Sequence, residues 1–308
     1  MASTFATFVS HLFVAAAAVT AGCGSSVNNP FDGGGVIVDG GPRGFVKTEA
    51  GGFELGAGFD GEPNAVADPG IRVGRAGGTC HQLLGVVRDF KGRNEVNGHP
   101  DFESYTGSGV TPGLIGSTLG ADHKPIYASR CEAGAAHNST CPYGQQTTSK
   151  AAFDQWYRGT PGVNKQFFLA LTFDQLTSGI STFQSQHFFP LDGQGWGTSG
   201  LDDNGFEHNF GFTTELHTTF TYGGGETFTF SGDDDLWVFI NGHLAIDLGG
   251  LHLVLSRTVS LDASASALGI SKGSNYPLDL FHAERHTNGS HFRVDTNFVF
   301  VDCGVIIP

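Results

Sequence analysis

Across 308 residues the formal net charge is −14, with 16 Lys and Arg against 30 Asp and Glu. A chain this acidic lacks the cationic surface that holds a phosphate backbone, which excludes a nucleic-acid partner. Only 15% of residues are charged, while 47 are Gly and 27 are Phe, a composition suited to short strands and tight turns rather than to helices. The length accommodates one large all-β domain or two small ones.

The N-terminus reads as an export signal over residues 1–22. Its apolar run, Leu12 to Val19, is too short to span a bilayer and right for a signal core. Thr20-Ala21-Gly22-Cys23 followed by Gly24-Ser25-Ser26 has the look of a bacterial lipoprotein signal, with Cys23 the lipidation point. Cleavage after Ala21 is the competing reading, since the segment lacks Lys and Arg and carries Thr20 where Leu is usual. Lipidation leaves four of the five cysteines, an even number: Cys80, Cys131, Cys141 and Cys303. Two disulfides are expected, Cys131–Cys141 being the short loop, and Cys80–Cys303 could tie the domain's ends. Four cysteines allow three connectivities, and spacing does not choose between them. Residues 23–78 are rich in Gly and poor in large apolar side chains, the composition of a flexible tether.

The folded domain is expected over 79–303. Strands are predicted over 83–90, 114–119, 166–173, 181–188, 210–216, 218–222, 227–230, 257–261, 278–285, 291–296 and 298–301. The spacing of Phe153, Trp156 and Tyr157 predicts the single helix, over 151–157, with its aromatics in the core. Short strands at regular intervals with Gly-rich turns predict an antiparallel β-sandwich with long loops.

The most informative stretch is Phe228 to His252. Asp233, Asp234 and Asp235 precede an unbroken apolar run, Leu236 to Ile240, and then Asn241-Gly242, the dipeptide that best supplies two positive φ angles. Leu244, Ile246 and Leu248 alternate as a returning strand. A two-residue turn sets Ile240 opposite His243, Trp237 opposite Ile246 and Leu236 opposite Asp247. Asp234 then shares a face with Asp247, within about 8 Å. The hairpin carries an apolar body into a core and lifts a knot of acid to the rim.

FTFSGDDDLWVFINGHLAIDLGG resembles the signature of the fibro-slime domain family, which is similar in turn to the protective-antigen-type (PA-fourteen) β-sandwich of adhesins, toxins and glycosidases. VRDF (87–90), HPDFE (99–103), FDQWYR (153–158), HFFPLDGQGWG (187–197), HNFGFTTEL (208–216) and LDLFHAERH (278–286) extend the resemblance in order. The resemblance implies that Asp233 and Asp234 match a calcium-binding aspartate pair joined by a cis peptide bond. It further implies a contribution from a late loop, here 286–291, with Asn288 the candidate. Asp235 stands where the wider family usually has Gly, a departure typical of the fibro-slime branch. Asp235, Asp247 and Asn288 are the candidate ligand-binding residues, and calcium is the expected cofactor.

HAERH, His282 to His286, does not carry the helical zinc spacing. Its segment alternates as a strand, where residues four apart stand about 13 Å from each other. With no nucleophile elbow and no phosphate loop, no enzyme is expected. The reading is a surface-tethered, exported binding module for a cell-surface or matrix glycan. It would be an outer-membrane or cell-surface lipoprotein, or else secreted, touching membrane only through its lipid. The alternative is a structural component of extracellular matrix or slime that binds no sugar.

Overall fold

In the computed structural model, residues 80–306 are described, together with backbone strands at 46–47, 53–59 and 71–72. The expected signal over 1–22 and Cys23 lie outside the described residues.

Two antiparallel sheets face each other. The larger contains β1 (Phe53–Phe59), β2 (Gln82–Phe90), β3 (Ile115–Leu119), β4 (Pro125–Tyr127), β5 (Asn164–Thr172), β7 (Phe212–Tyr222), β9 (Asp235–Ile240), β10 (His243–Leu248) and β12 (Ser274–Glu284). Their order is β1-β5-β2-β7-β12-β9-β10-β3-β4. The smaller sheet contains β6 (Ser181–Ser185), β8 (Thr227–Gly232), β11 (Leu255–Ser260) and β13 (Phe292–Thr296), in the order β11-β8-β13-β6.

Both faces of the larger sheet are covered. Phe212, Leu216, Leu236, Val238, Ile240 and Leu280 point to the smaller sheet and pack on Phe228, Phe230, Phe292 and Val294. On the other face, Trp237, Phe239, Phe281 and Ala283 pack beneath Phe102, Leu114, Tyr127, Phe153, Trp156 and Tyr157, from the long excursion between β2 and β5. This explains why β9 reads as an unbroken apolar run: every residue of it is buried, the pattern of a strand with a core on both sides.

Several expectations need correction. The hairpin carries a β-bulge between Val238 and Phe239, so Trp237 faces Asp247 and Leu236 faces Leu248. That shift of one residue exchanges faces, and Asp235, not Asp234, lies on the side of Asp247. The expected helix over 151–157 is shorter, α1 (Lys150–Phe153), capped by the Ser149 hydroxyl. Beyond its end, Thr213 of β7 donates to the Trp156 carbonyl at 2.6 Å. A second helix, α2 (Leu261–Leu268), was not expected; it buries only Leu261 and Leu268, and Gly269 closes it in the left-handed conformation. Within the stretch expected to be tether, β1 pairs with β5. The separate strands expected over 210–216 and 218–222 are one, β7.

The disulfides are Cys80–Cys303 and Cys131–Cys141. The first joins the start and the end of the sandwich, where Leu84 N also donates to Cys303 O at 2.8 Å.

Candidate functional site

The chain changes sheets twice at one rim. Asp233 and Asp234 carry it from β8 in the smaller sheet to β9 in the larger. Residues 285–291 carry it back, from β12 to β13. Because β8 pairs with β13 and β9 pairs with β12, the two crossovers run side by side, and the acidic trio stitches them together.

Asp233 Oδ1 accepts from His291 N at 2.7 Å, and its Oδ2 lies 2.8 Å from His291 Nδ1. That hydrogen bond raises the His291 pKa. Asp234 takes a left-handed turn at φ 54°, which Asp tolerates better than most residues. Its Oδ2 accepts from Arg285 N at 2.9 Å and His286 N at 3.1 Å. Asp235 is fully buried and ion-paired: Arg285 Nε and Nη2 approach its Oδ2 at 2.7 and 2.6 Å, and Gly250 N donates to Oδ1 at 2.6 Å. Arg285 also donates to Asp101 O and Gln146 O, each at 3.1 Å, and lies 4.6 Å over the Trp156 ring. Trp156 Nε1 in turn donates to Asp101 Oδ2 at 3.0 Å. The segments that carried the resemblance, HPDFE, FDQWYR, the aspartate trio and HAERH, thus meet at one node.

Glu284, the last residue of β12, was not singled out from the sequence. It is completely buried, and neither carboxylate oxygen has a hydrogen-bond donor. Burial first, then the Asp234 and Asp233 charges, push its pKa well above the usual carboxylate range. Burial likewise pushes Asp234 up to about 8, aided by Asp233 and Asp235 against the pull of Arg285. Three carboxylates therefore gather where charge is poorly solvated. Among the described residues no three His, Cys, Asp or Glu side chains are grouped as ligands of one ion. The donor chemistry nevertheless fits a hard cation: Glu284 is an orphaned buried carboxylate, and each Asp233 oxygen keeps a lone pair beyond its His291 partner, whereas Asp234 Oδ2 already accepts two N–H groups.

A cleft of about 160 Å³ opens beside this corner, lined by His187, Phe189, Asp202, Asp203, Asn288 and His291 among others. Asn288 Nδ2 donates to Asp203 Oδ1 across it. Phe189 stacks on His208 with ring centroids 3.9 Å apart, and Asp202 Oδ1 accepts from Asn204 N and Phe206 N at 2.9 and 2.8 Å, shaping the facing loop.

Of the residues expected at the site, Asp233, Asp234 and Asn288 come to this rim. Asp235 does not face a ligand, because its charge is spent on Arg285. Asp247 is also turned inward, accepting from Gly113 N, Trp237 Nε1 and Gly249 N at 2.8, 3.0 and 3.1 Å. The cis peptide bond is Thr287–Asn288 and not Asp233–Asp234. HAERH divides between β12 and the crossover: His282 lies in the inter-sheet core, and His286 lies beyond the strand.

A second buried network was not legible in the sequence. Glu215 of β7 is held by Arg88 Nη1 at 2.6 Å, by Lys124 Nζ and by His217 Nε2 at 2.5 Å, while His217 Nδ1 meets Asp279 at 2.7 Å. Against burial, Lys124 and Arg88 keep the Glu215 carboxyl far below its ordinary value.

These features define a class: an antiparallel sandwich whose sheets are joined at an acidic corner flanked by a polar cleft. Residues 195–305 match the PA14 domain, a span that holds both crossovers. Two Dictyostelium discoideum proteins are similar over most of the chain. Protein psiR is 37% identical over 228 residues, 69% of this chain and 21% of its own length. Protein psiD is 40% identical over 235 residues, 74% of this chain and 43% of its own. The chain spans less than half the length of these relatives. Among solved structures, the PA14 sugar-binding domain from an RTX adhesin is 11% identical, covering 41% of this chain and 76% of its own, with a TM-score of 0.24. The PA14 domain of the MpAFP antifreeze protein is 10% identical, covering 42% and 77%, with a TM-score of 0.25.

Proposed function

We propose that the chain is a non-catalytic, extracellular carbohydrate-binding module, and that the cleft at the acidic corner takes the sugar. The observation that carries this reading is the lining of the cleft. Carboxylates (Asp202, Asp203), an amide (Asn288) and imidazoles (His187, His291) surround one aromatic ring, Phe189. Such a wall pairs sugar hydroxyls in both donor and acceptor roles. The match of residues 195–305 to the PA14 domain supports the same reading.

Calcium dependence belongs to the proposal. Asp233, Asp234 and Glu284 would hold the ion, whose charge would return the two buried acids to their ionised state. Calcium takes six to eight oxygens in flexible geometry, and extracellular modules bind it at about 0.1–1 mM. The partner would be a cell-surface or matrix glycan, with export and the Cys23 lipid keeping the module at a surface.

A glycan array probed with and without chelator tests this. Calcium-dependent signal should appear for wild type and vanish for the Asp203→Ala/Asn288→Ala double variant. Retention of the signal by that variant would exclude the cleft. The rival, a structural component that binds no sugar, is favoured by the N–H donors that already satisfy the trio; it predicts an empty array and melting curves indifferent to calcium.

A further inference from the structure

HFFPLDGQGWG ends in a feature that the acidic corner does not use. Trp196 is the exposed tryptophan of the described residues, at 36%, whereas Trp156 and Trp237 are wholly buried. Two ammonium groups rest on its ring, Lys165 Nζ at 3.9 Å and Lys91 Nζ at 4.5 Å from the centroid. Each is steadied by a carbonyl, Gly195 O at 2.8 Å and Val96 O at 3.4 Å.

The turn that presents Trp196 is built for the purpose. Gly195 has φ 61°, and a Cβ there would run into the Asp89 carboxylate, so the chain passes this point only as glycine. Asp89 accepts from Trp196 N and from Asn209 Nδ2 at 2.8 Å, locking the turn from below. Burial pushes Asp89 up to about 7, against the pull of these donors and of Lys165. Glu95, on the neighbouring loop, is tied to Gly92 N at 2.8 Å. Neither lysine is ion-paired among the described residues, and the indole N–H is not hydrogen-bonded there. The patch sets two ammonium groups and an indole N–H at the surface of a chain of net charge −14, with the Glu95 carboxylate on the neighbouring loop.

We propose that Trp196, Lys91 and Lys165 form a second binding site, for a saccharide unit that bears a carboxylate or a sulfate. The two ammonium groups and the indole N–H would hold the anionic group, while the ring edge and the exposed Val96 meet the sugar's C–H face. The lysines act over a screening length of about 10 Å, and a longer polyanion would run on to the surface of a chain of net charge −14. The site therefore selects a sparsely charged chain over a dense polyanion such as nucleic acid. The site is separate from the cleft at the acidic corner and does not depend on calcium.

Because Trp156 and Trp237 are buried, acrylamide quenching and ligand-induced change in the emission report chiefly on Trp196. The full chain is titrated with a galacturonate trimer, a sulfated galactose trimer and the neutral galactose trimer. One or both acidic trimers should shift the emission and shield Trp196 from acrylamide, the better of the two identifying the anion, while the neutral trimer does neither. Affinity should fall about tenfold or more in the Lys91→Gln/Lys165→Gln double variant, whose melting temperature stays near wild type, and should also fall as salt is raised. The Asp203→Ala/Asn288→Ala variant should titrate as wild type, so failure of the cleft would not be mistaken for failure here. An equal response to the neutral trimer, unchanged affinity in the lysine double variant, or equal competition by a polyglutamate peptide would overturn the proposal.

Discussion

Replacing Asp235 by Ala tests whether the acidic corner is held by charge. The substitution strips Arg285, itself fully buried, of the carboxylate that meets its Nε and Nη2. Breaking one side of a buried pair costs about 3–5 kcal/mol, because the other charge is left uncompensated. Gly250 N also loses its acceptor, which adds about 1 kcal/mol or more. Asp234 and Asp101 still act on the guanidinium, so a total of about 4 kcal/mol is expected. For a domain of this size that lowers the melting temperature by roughly 8–16 °C, read by calorimetry or by near-UV circular dichroism. Asp174→Ala, at an exposed position, should stay within about 1 °C and serves as the control. Asp235→Ala/Arg285→Met should recover part of the loss, because removing both charges abolishes the orphan. Melting of Asp235→Ala within about 2 °C of wild type, or a double variant weaker than the single, would refute the reasoning. The same pair gives Asp235 its role in this fold: without it, Arg285 Nε and Nη2 would lose their carboxylate.

Two further predictions concern the corner and the closure of the domain. Glu284→Gln removes an acid whose folded pKa is raised, so the wild type should lose stability relative to the variant as pH rises from about 4 through that raised value. The slope is at most ~1.4 kcal/mol per unit, with the two proteins converging below about pH 4. Melting curves taken in chelator across that range decide it, and a gap that does not widen with pH rejects the assignment. Removing the Cys80–Cys303 bridge as Cys80→Ser/Cys303→Ser should cost about 5.4 kcal/mol in the chain-entropy picture, given a sequence separation of 223. A loss under about 1 kcal/mol in denaturant titration contradicts it.

Alternation and turn chemistry made most strands legible, and the run Leu236 to Ile240 correctly marked the centre of the fold. The bulge in the hairpin was not legible, because Asn241-Gly242 specifies the turn and not the number of residues opposed further along. Helix α2 escaped because LDASASAL buries only its first and last residues, too sparse a pattern to register as a period. At the site, three adjacent aspartates were conspicuous, but their division of labour depends on partners far away in sequence. Asp235 meets Arg285, Asp233 meets His291, and only pairing β9 with β12 reveals either. Glu284 was hidden for the same reason: a lone Glu in HAERH looks like an ordinary strand acid until both its faces prove to be buried.

The bridge between Cys80 and Cys303 also has a mechanical meaning. A pull applied through the residues before Cys80 and those after Cys303 passes across one covalent link. Once β1 has let go of β5, the residues between them, with the two sheets, the acidic corner and the polar cleft, carry no load. Strand β1 lies outside that loop and is held to β5 by backbone hydrogen bonds, so it would be stripped away first. The rest would keep its shape under tension. A sandwich arranged in this way keeps its corner and cleft intact while its ends are dragged apart.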